Sequence, residues 1–153
     1  MNSINNIILL DSNTDISKIN LSDYDGLKII SFDYESHKIL NQKNLEHSIS
    51  DDLLSDVNLL IIQKNAYSLS QWYNEESLKR YLKYENVNLG SLVQSEFINI
   101  LVNYSKRFQE CLNIVKKYGS NVNYICGGLN YEIMSELSSK LIKIQYQNSN
   151  DLF

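Results

Sequence analysis

A short continuous run of apolar residues, rather than an alternating one, marks the first predicted strand of this chain. The run occupies residues 6–10 and ends at Asp11-Ser12, and the mostly apolar segments 27–32 and 122–126 predict a second and a third strand. Runs of this kind are typical of strands buried on both faces of a parallel sheet. The pattern therefore predicts an α/β fold in which the polar ends of parallel strands share one edge.

Helical spacing dominates the middle of the chain. Apolar residues three and four positions apart favour a helix at residues 59–73, with Trp72 as its packing anchor, and a longer helix at residues 89–118. The longer helix would extend roughly 40 Å at 1.5 Å per residue and end at Gly119. Residues 33–50 follow neither period, so a hairpin and a loop both remain open there.

One apolar stripe runs along the longer helix, and we expect it to face the core. Its members are Leu89, Leu92, Val93, Phe97, Ile100, Leu101, Tyr104, Phe108, Cys111, Leu112 and Val115. Ile98, Val102 and Ile114 lie off this stripe, so the helix has a second apolar flank. Two copies of the chain would associate through such a flank.

The C-terminal part shows the order of strand, turn and helix that is typical of a parallel crossover. Gly127-Gly128 follows the third strand, and Asn130 is expected to cap a helix that continues to about Leu141. A fourth strand is predicted at residues 143–147, and a frayed end at residues 148–151.

Composition and charge limit the class of protein. The chain has 153 residues, of which 43% are hydrophobic, and this suits one domain with a packed core. Its net charge is −4 and its basic residues are scattered, which disfavours binding to nucleic acid. The sequence shows neither a run of about 18 apolar residues nor the basic start of a signal peptide. We therefore expect a cytoplasmic protein with no transmembrane segment.

The polar strand ends are the candidate ligand-binding site. Open α/β sheets bind ligands at the carboxyl ends of their strands, which singles out Asp11 and Ser12. Gly127, Gly128 and Asn130 precede a helix whose amides and dipole would favour a phosphate, a carboxylate or a sugar hydroxyl. Two adjacent glycines match neither the dinucleotide fingerprint nor the P-loop, so a tight structural turn is the competing interpretation.

Few residues are candidates for catalysis. His47 is the candidate general base, because histidine titrates near neutral pH and Glu46 beside it offers an orienting carboxylate. A solvated surface histidine is the alternative for both His47 and His37. The segment Asp23-Tyr24-Asp25 has the DxD shape that binds a metal with a diphosphate, although a surface turn explains it better.

The two cysteines do not indicate a metal site. Cys111 and Cys126 lack the spacing of a zinc site or a disulfide framework, so both are expected to be small core residues. Neither a metal nor a cofactor is predicted for this chain.

A phrase in the middle of the chain carries a family resemblance. Trp72 ends one helix, residues 84–96 (YENVNLGSLVQSE) open the long helix, and a short strand with a glycine turn follows. Across residues 50–147 this order resembles the N-terminal half of bacterial surface-carbohydrate and lipopolysaccharide-type glycosyltransferases, which are built from two Rossmann-like domains. Glu96 matches the acidic position of the phrase and would be a structural or supporting residue.

Pattern and resemblance together predict one Rossmann-like three-layer domain over residues 1–153, with a short, mostly parallel sheet and one long amphipathic helix. The resemblance implies the acceptor-side domain of a glycosyltransferase-like protein of surface polysaccharide biosynthesis. Loops at Asp11-Ser12, Asp33 and residues 127–130 would then contact a carbohydrate acceptor. A missing or separate domain would bind the nucleotide sugar, so this chain is expected to be inactive alone. The alternative is a non-enzymatic α/β interaction module that forms a homodimer through its long helix.

Overall fold

The computed structural model describes residues 4–144, which belong to two compact units. The first, which we call the sheet unit, contains residues 4–54 and 110–144 of the described chain. The second, the helical unit, contains residues 55–109. The expectation of one domain over residues 1–153 stays a prediction.

The described residues form seven strands and six α-helices. In chain order they are β1 (Asn6–Leu10), β2 (Leu27–Ser31), α1 (Tyr34–Gln42), β3 (Ser48–Ile49), α2 (Asp56–Ser70), α3 (Glu76–Leu82), β4 (Lys83–Tyr84), β5 (Val87–Asn88), α4 (Leu89–Leu92), α5 (Gln94–Tyr118), β6 (Asn123–Cys126), α6 (Gly128–Leu137) and β7 (Leu141–Lys143). Short 3-10 turns lie between several of these elements.

The sheet unit is built on five parallel strands in the order β3-β2-β1-β6-β7. β1 lies at the centre, where Ile8 is paired with Ile29 of β2 on one side and with Ile125 of β6 on the other. The chain first moves outward from β1 to β3 and then returns to the opposite side of β1. This topology confirms the predicted α/β fold and has a Rossmann-like layout.

Two apolar layers cover the sheet, because successive residues of a strand point to opposite faces. On one face, Ile7 and Leu9 pack in a cluster with residues of α5 and α6, including Ile114 and Met134. On the other face, Ile8 and Leu10 pack with Leu40 of α1 and with the turns that connect β1 to β2. Burial on both faces explains why β1 reads as a continuous apolar run.

The segment that the sequence left open contains the helix α1. Asp33 caps it, since its carboxylate accepts the Ser36 N–H at 2.8 Å and the Ser36 hydroxyl completes a capping box. Only Ser36 and Leu40 of this helix are buried. This amphipathic helix has nine residues, or about two and a half turns, so its apolar spacing repeats too few times to distinguish it from a loop.

Two predictions at the C-terminal end of the chain are corrected. The cap of α6 is Gly127 rather than Asn130, which lies inside the helix. The helix ends at Leu137, and Leu141 opens the strand β7 instead of closing the helix. The predicted strand residues 145–147 and the predicted frayed end at residues 148–151 lie outside the described residues.

The predicted long helix is present, but its apolar stripe faces the core over only part of its length. It forms as α4 and α5, which are separated at Val93. In the sheet unit the stripe residue Cys111 is fully buried, as predicted, whereas in the helical unit Leu92 and Ile100 are each 63% exposed. Ile114, predicted to lie off the core-facing stripe, is fully buried.

Within the sheet unit, two hydrogen bonds join the C-terminal half of α5 to residues 50–53. The Ser50 hydroxyl donates to Glu110 Oε1 at 2.9 Å in the interior, and the Asn113 amide donates to the Leu53 carbonyl at 2.8 Å. Ser50 follows β3 directly. Residues 50–53 therefore connect the end of an edge strand to the helix that covers the sheet.

The helical unit has a small interior of its own. Ile62, Ala66 and Ser70 form the buried side of α2. Tyr73, rather than the predicted anchor Trp72, is the buried aromatic residue, and its hydroxyl donates to Gln94 Oε1 at 2.7 Å. A Cβ atom at Gly90 would lie 2.2 Å from Tyr73 Cβ, so only glycine allows this approach of α4.

Within the segment 84–96, which carries the family resemblance, the residues before the long helix belong to a hairpin. β4 and β5 are antiparallel, with Tyr84 paired to Val87. Glu85 and Asn86, the two residues between the strands, have φ values of +47° and +79°. Two successive positive φ angles are typical of the tightest hairpin turns.

Gly119 lies directly after α5, where the sequence predicts the end of the long helix. Its φ is +87°, and a Cβ placed there would meet no atom within 4 Å. Substitution by alanine therefore affects the backbone conformation alone. We expect Gly119→Ala to lower the free energy of unfolding by about 1–2 kcal/mol in chemical denaturation. Gly119→Asn should lose less, because asparagine tolerates the left-handed conformation. Equal stability of the two variants would contradict this interpretation.

Candidate functional site

The carboxyl edge of the parallel sheet brings the predicted ligand residues of three strands to one side of the molecule. Asp11 and Ser12 follow β1, Asp33 follows β2 by two residues, and Gly127 follows β6. The strand order reverses between β1 and β6. In open α/β sheets such a reversal creates a crevice outside the strand ends, and ligands bind there.

Asp11 and Asn130 meet inside the protein at this reversal. Asp11 is 6% exposed and Asn130 is fully buried, and the Asn130 amide donates to Asp11 Oδ2 at 3.5 Å. The other carboxylate oxygen of Asp11 accepts the Thr14 hydroxyl at 2.9 Å and the Asn13 N–H at 3.2 Å. This buried pair fixes the end of β1 against the first turn of α6.

Asp33 joins the end of β2 to the loop after β1. Its Oδ2 accepts the Ser12 N–H at 2.8 Å, while its Oδ1 accepts the Ser36 N–H at the start of α1. Burial alone would raise the pKa of the Asp33 carboxyl, but the hydrogen bonds from Ser36 and Ser12 outweigh it and hold the pKa below its ordinary value of 3.8. Asp33 is therefore ionised at neutral pH.

Asp11 and Asn130 are buried, so the groups that a ligand could reach at this edge belong to other residues. Ser12 is exposed, and Asp33 and Gly128 are half-buried. Farther along the edge, the Lys143 ammonium lies 4.8 Å from the centre of the Tyr131 ring. The accessible rim between β2 and β6 therefore offers a hydroxyl, an ionised carboxylate and backbone groups. Carboxylates favour ligands that donate hydrogen bonds and repel anions.

Cys126, the last residue of β6, is an interior residue as the sequence predicted. It is fully buried, and burial, together with the nearby Asp11 carboxylate, raises the pKa of its thiol to about 12. Cys111 is also fully buried. A thiol that stays protonated is a poor nucleophile, so Cys126 contributes packing at this edge.

The two histidines form a hydrogen-bonded pair. His37 of α1 and His47 approach to 2.7 Å between Nδ1 and Nε2, and the His47 Nδ1 lies 2.8 Å from the Leu45 carbonyl. Because a carbonyl can only accept, His47 donates from Nδ1 and, when neutral, accepts from His37 at Nε2. His37 Nε2 in turn accepts from the Asn41 amide at 2.9 Å.

This pairing bears on the role predicted for His47. Its ring nitrogens contact His37 and Leu45 rather than Glu46, the carboxylate expected to orient it. Its hydrogen bonds also include none to the residues at the reversal of the strand order. The prediction that His47 is a general base stays a prediction. Nothing in the sequence indicated that two histidines ten positions apart would meet.

A groove lies beside the connection between β1 and β2. Its volume is about 500 Å³, within the range of small-molecule sites. The lining residues are Asp15, Lys18, Ile19, Asn20, Asp23, Tyr24 and Ile144. Two residues of the DxD segment thus line a concave surface. The Asp23 carboxylate accepts the Asn20 amide at 2.7 Å, an interaction typical of a polar turn.

Within residues 4–144, no group of three or more His, Cys, Asp or Glu side chains is placed to hold a metal ion. Among the helices of these same residues, none combines the length and the apolar character needed to cross a membrane.

Comparisons of the chain with family models, with curated proteins and with solved structures found no match. The resemblance to glycosyltransferases therefore stays a prediction from the sequence.

The low pKa of Asp33 predicts a contribution to acid stability. A group whose pKa is depressed by folding stabilises the protein above its unfolded pKa, and this stabilisation disappears as the pH falls through the folded pKa. Asp33→Asn keeps a side chain that caps helices but removes the titration. On acidification below about pH 4, the free energy of unfolding of the wild type should therefore fall more steeply than that of Asp33→Asn.

Asp33→Ala serves as the matched control in the same denaturation series. It should cost about 1 kcal/mol at neutral pH, because it removes the helix cap itself. Parallel acid profiles of the wild type and Asp33→Asn would contradict the assignment of this carboxyl.

Proposed function

We propose that the protein is the acceptor-side, carbohydrate-binding domain of a glycosyltransferase-like protein of surface polysaccharide biosynthesis. The observation that carries the proposal is the meeting of polar groups from three strand ends at the reversal of the strand order. Ser12, Asp33 and Gly128 contribute its accessible groups. The resemblance of residues 50–147 to such enzymes supports the same class.

The chemistry of the rim favours a neutral ligand with many hydroxyl groups. Asp33 Oδ1 and Oδ2 each accept an N–H from the protein, and the Ser12 and Ser36 hydroxyls also hydrogen-bond to this carboxylate. A ligand hydroxyl would add to these bonds where the half-buried carboxylate reaches water, beside the exposed Ser12. Hydrogen bonds to an ionised carboxylate are about twice as strong as those between neutral groups. A sugar satisfies this site, whereas a diphosphate would face the charge of Asp33.

In this proposal the domain holds and orients the acceptor. Orientation of a substrate next to its reaction partner can account for a large part of a rate enhancement. The nucleotide sugar would be held by another domain, so the chain alone would bind a sugar without transferring one. Activity as an enzyme, a cytoplasmic location and a catalytic role for His47 stay predictions.

The proposal can be tested by titrating the labelled protein with sugars and following its amide resonances. Glucose, galactose and N-acetylglucosamine are the sugar probes, and uridine diphosphate is the anionic probe. We expect at least one sugar to shift the amides of Ser12, Asn13 and Gly128, and uridine diphosphate to leave them in place. Ser12→Arg should weaken sugar binding about tenfold or more, because it fills the rim.

Ser135→Arg is the matched control, since Ser135 is exposed on α6 and bonds only within its own helix. It should bind sugar like the wild type. Shifts caused by uridine diphosphate at the rim, or sugar shifts confined to other parts of the protein, would refute the proposal.

A further inference from the structure

The rings of His37 and His47 approach each other from two separate elements of the sheet unit. His37 lies in α1, and His47 is the last residue before β3. Their Nδ1 and Nε2 atoms are 2.7 Å apart, and their ring centres are 4.9 Å apart. Both residues are half-buried, so neither is sealed in the core. The nitrogens of neutral imidazole are metal ligands, and the pair therefore has the donor atoms of a small chelating site.

The distance between the two rings already matches that of two histidines on one metal ion. With metal–nitrogen bonds of about 2.0–2.1 Å, the ring centres lie about 4.5 Å apart at a coordination angle of 90° and about 5.2 Å apart at the tetrahedral angle. The observed 4.9 Å falls between these values. The two bound nitrogens would be about 2.9–3.3 Å apart, so they separate by a few tenths of an ångström. Each ring also turns about χ2, for which histidine has a broad preference.

The second ring nitrogen of His47 has the partner that a metal-binding histidine needs. His47 Nδ1 donates to the Leu45 carbonyl at 2.8 Å. Histidines that bind metals commonly donate their other ring N–H to a carbonyl or a carboxylate, which fixes the tautomer and the orientation of the ring. In the neutral ring this bond leaves His47 Nε2, the atom that faces His37, without a proton and able to bind an ion.

His37 becomes a ligand when one proton changes its place on the ring. In the metal-free pair its Nδ1 donates to His47, and its Nε2 accepts from the Asn41 amide at 2.9 Å. On metal binding Nδ1 releases its proton to water and Nε2 takes one up, so the neutral ring keeps the same number of protons. A half-turn of the Asn41 amide lets its carbonyl oxygen accept from Nε2–H. Both outer nitrogens then donate to the protein, and both inner nitrogens bind the ion.

We propose that His37 and His47 form a two-histidine site for a divalent transition-metal ion, which binds Cu²⁺ more tightly than Ni²⁺ or Zn²⁺. Imidazole suits these three ions, and the affinity of nitrogen sites peaks at Cu²⁺. Mg²⁺ and Ca²⁺ prefer oxygen ligands and are excluded. The site has two protein ligands instead of the three or four of zinc enzymes and zinc fingers, so it binds its ion reversibly and leaves positions open to water. The inference does not rest on the carbohydrate proposal, because its tests use metal ions and no sugar.

A bound ion would join α1 to an edge strand that has few bonds of its own. β3 pairs with β2 only through Ser48 and Ile49. His47 directly precedes Ser48, so coordination holds the start of β3 against α1. A ligand that binds the folded state more tightly than the unfolded state raises the stability of the protein. We therefore expect Cu²⁺ to raise the melting temperature, and Mg²⁺ to leave it unchanged.

The first test is a calorimetric titration of the full chain, prepared without a histidine tag. The chain has two histidines and both cysteines are buried, so few other nitrogen or sulfur ligands compete. We expect one Cu²⁺ per chain, weaker binding of Ni²⁺ and Zn²⁺, and no binding of Mg²⁺. His37→Gln and His47→Gln should each raise the Cu²⁺ dissociation constant about a hundredfold or more, because the chelate is lost. Lys43→Gln is the matched control, since Lys43 is exposed between the two ligands, and it should bind like the wild type.

The second test is electron paramagnetic resonance of the wild type with Cu²⁺, which does not depend on how the variants fold. Two imidazole nitrogens should couple to the copper. Asn41→Ala should weaken Cu²⁺ binding about tenfold, whereas Asn41→Asp should retain it, because a carboxylate also accepts the Nε2 proton. Coupling to fewer than two imidazole nitrogens, or an equal loss of affinity in Lys43→Gln and His47→Gln, would overturn the proposal. A wild type that binds none of Cu²⁺, Ni²⁺ and Zn²⁺ at about 1 mM would do the same.

Discussion

The parallel pairing of β1 with a neighbour on each side is the constraint on which the rest of the sheet unit depends. Ile7, Ile8 and Leu9 are completely buried, so β1 must be covered by apolar residues on both faces and hydrogen-bonded on both edges. A parallel strand cannot reach its neighbour through a tight turn, and a crossover must return the chain to the other end of the sheet. The polar residues that follow each strand therefore collect at one edge.

The same constraint explains why a carboxylate is buried at the reversal of the strand order. Asp11 follows the central strand and is only 6% exposed, and its oxygens accept hydrogen bonds from Thr14, Asn13 and Asn130. A buried polar group without such partners would be costly. The pair of Asp11 and Asn130 stabilises the edge, and the neighbouring Asp33 and Ser12 give it an accessible polar rim. The buried pair therefore has a structural role, and the accessible residues beside it are the candidate ligand-binding groups.

The elements that the sequence predicted well are those with a strong hydrophobic signal. β1 is a nearly continuous apolar run, β2 and β6 are mostly apolar, and α5 repeats its apolar residues over many turns. α1 has only nine residues, too few turns for apolar spacing to distinguish a helix from a loop, whereas its capping box at Asp33 and Ser36 is typical of a helix start. β3 has two residues, too few for any pattern. The sequence predicts Asn130 rather than Gly127 as the cap of α6, because two adjacent glycines do not reveal where a helix begins.

The sequence predicts which part of the fold holds the candidate site, but not which side chains of the site contact one another. Strand ends in the sequence indicated Asp11, Ser12 and the glycine loop, since this follows from the topology of parallel sheets. The pairing of Asp11 with Asn130 joins residues far apart in the chain, and no local pattern encodes it. The exposure of Ile100 and Tyr104 was hidden for a related reason, because periodicity shows that a face is apolar but not what covers it.

Nuclear Overhauser contacts between β1 and β6 test the central claim of this account most directly. Parallel pairing predicts backbone contacts that join Ile7 to Tyr124 and Ile8 to Ile125 in one advancing register. The absence of these contacts, or a set that runs in the opposite direction along the two strands, would contradict the shared carboxyl edge.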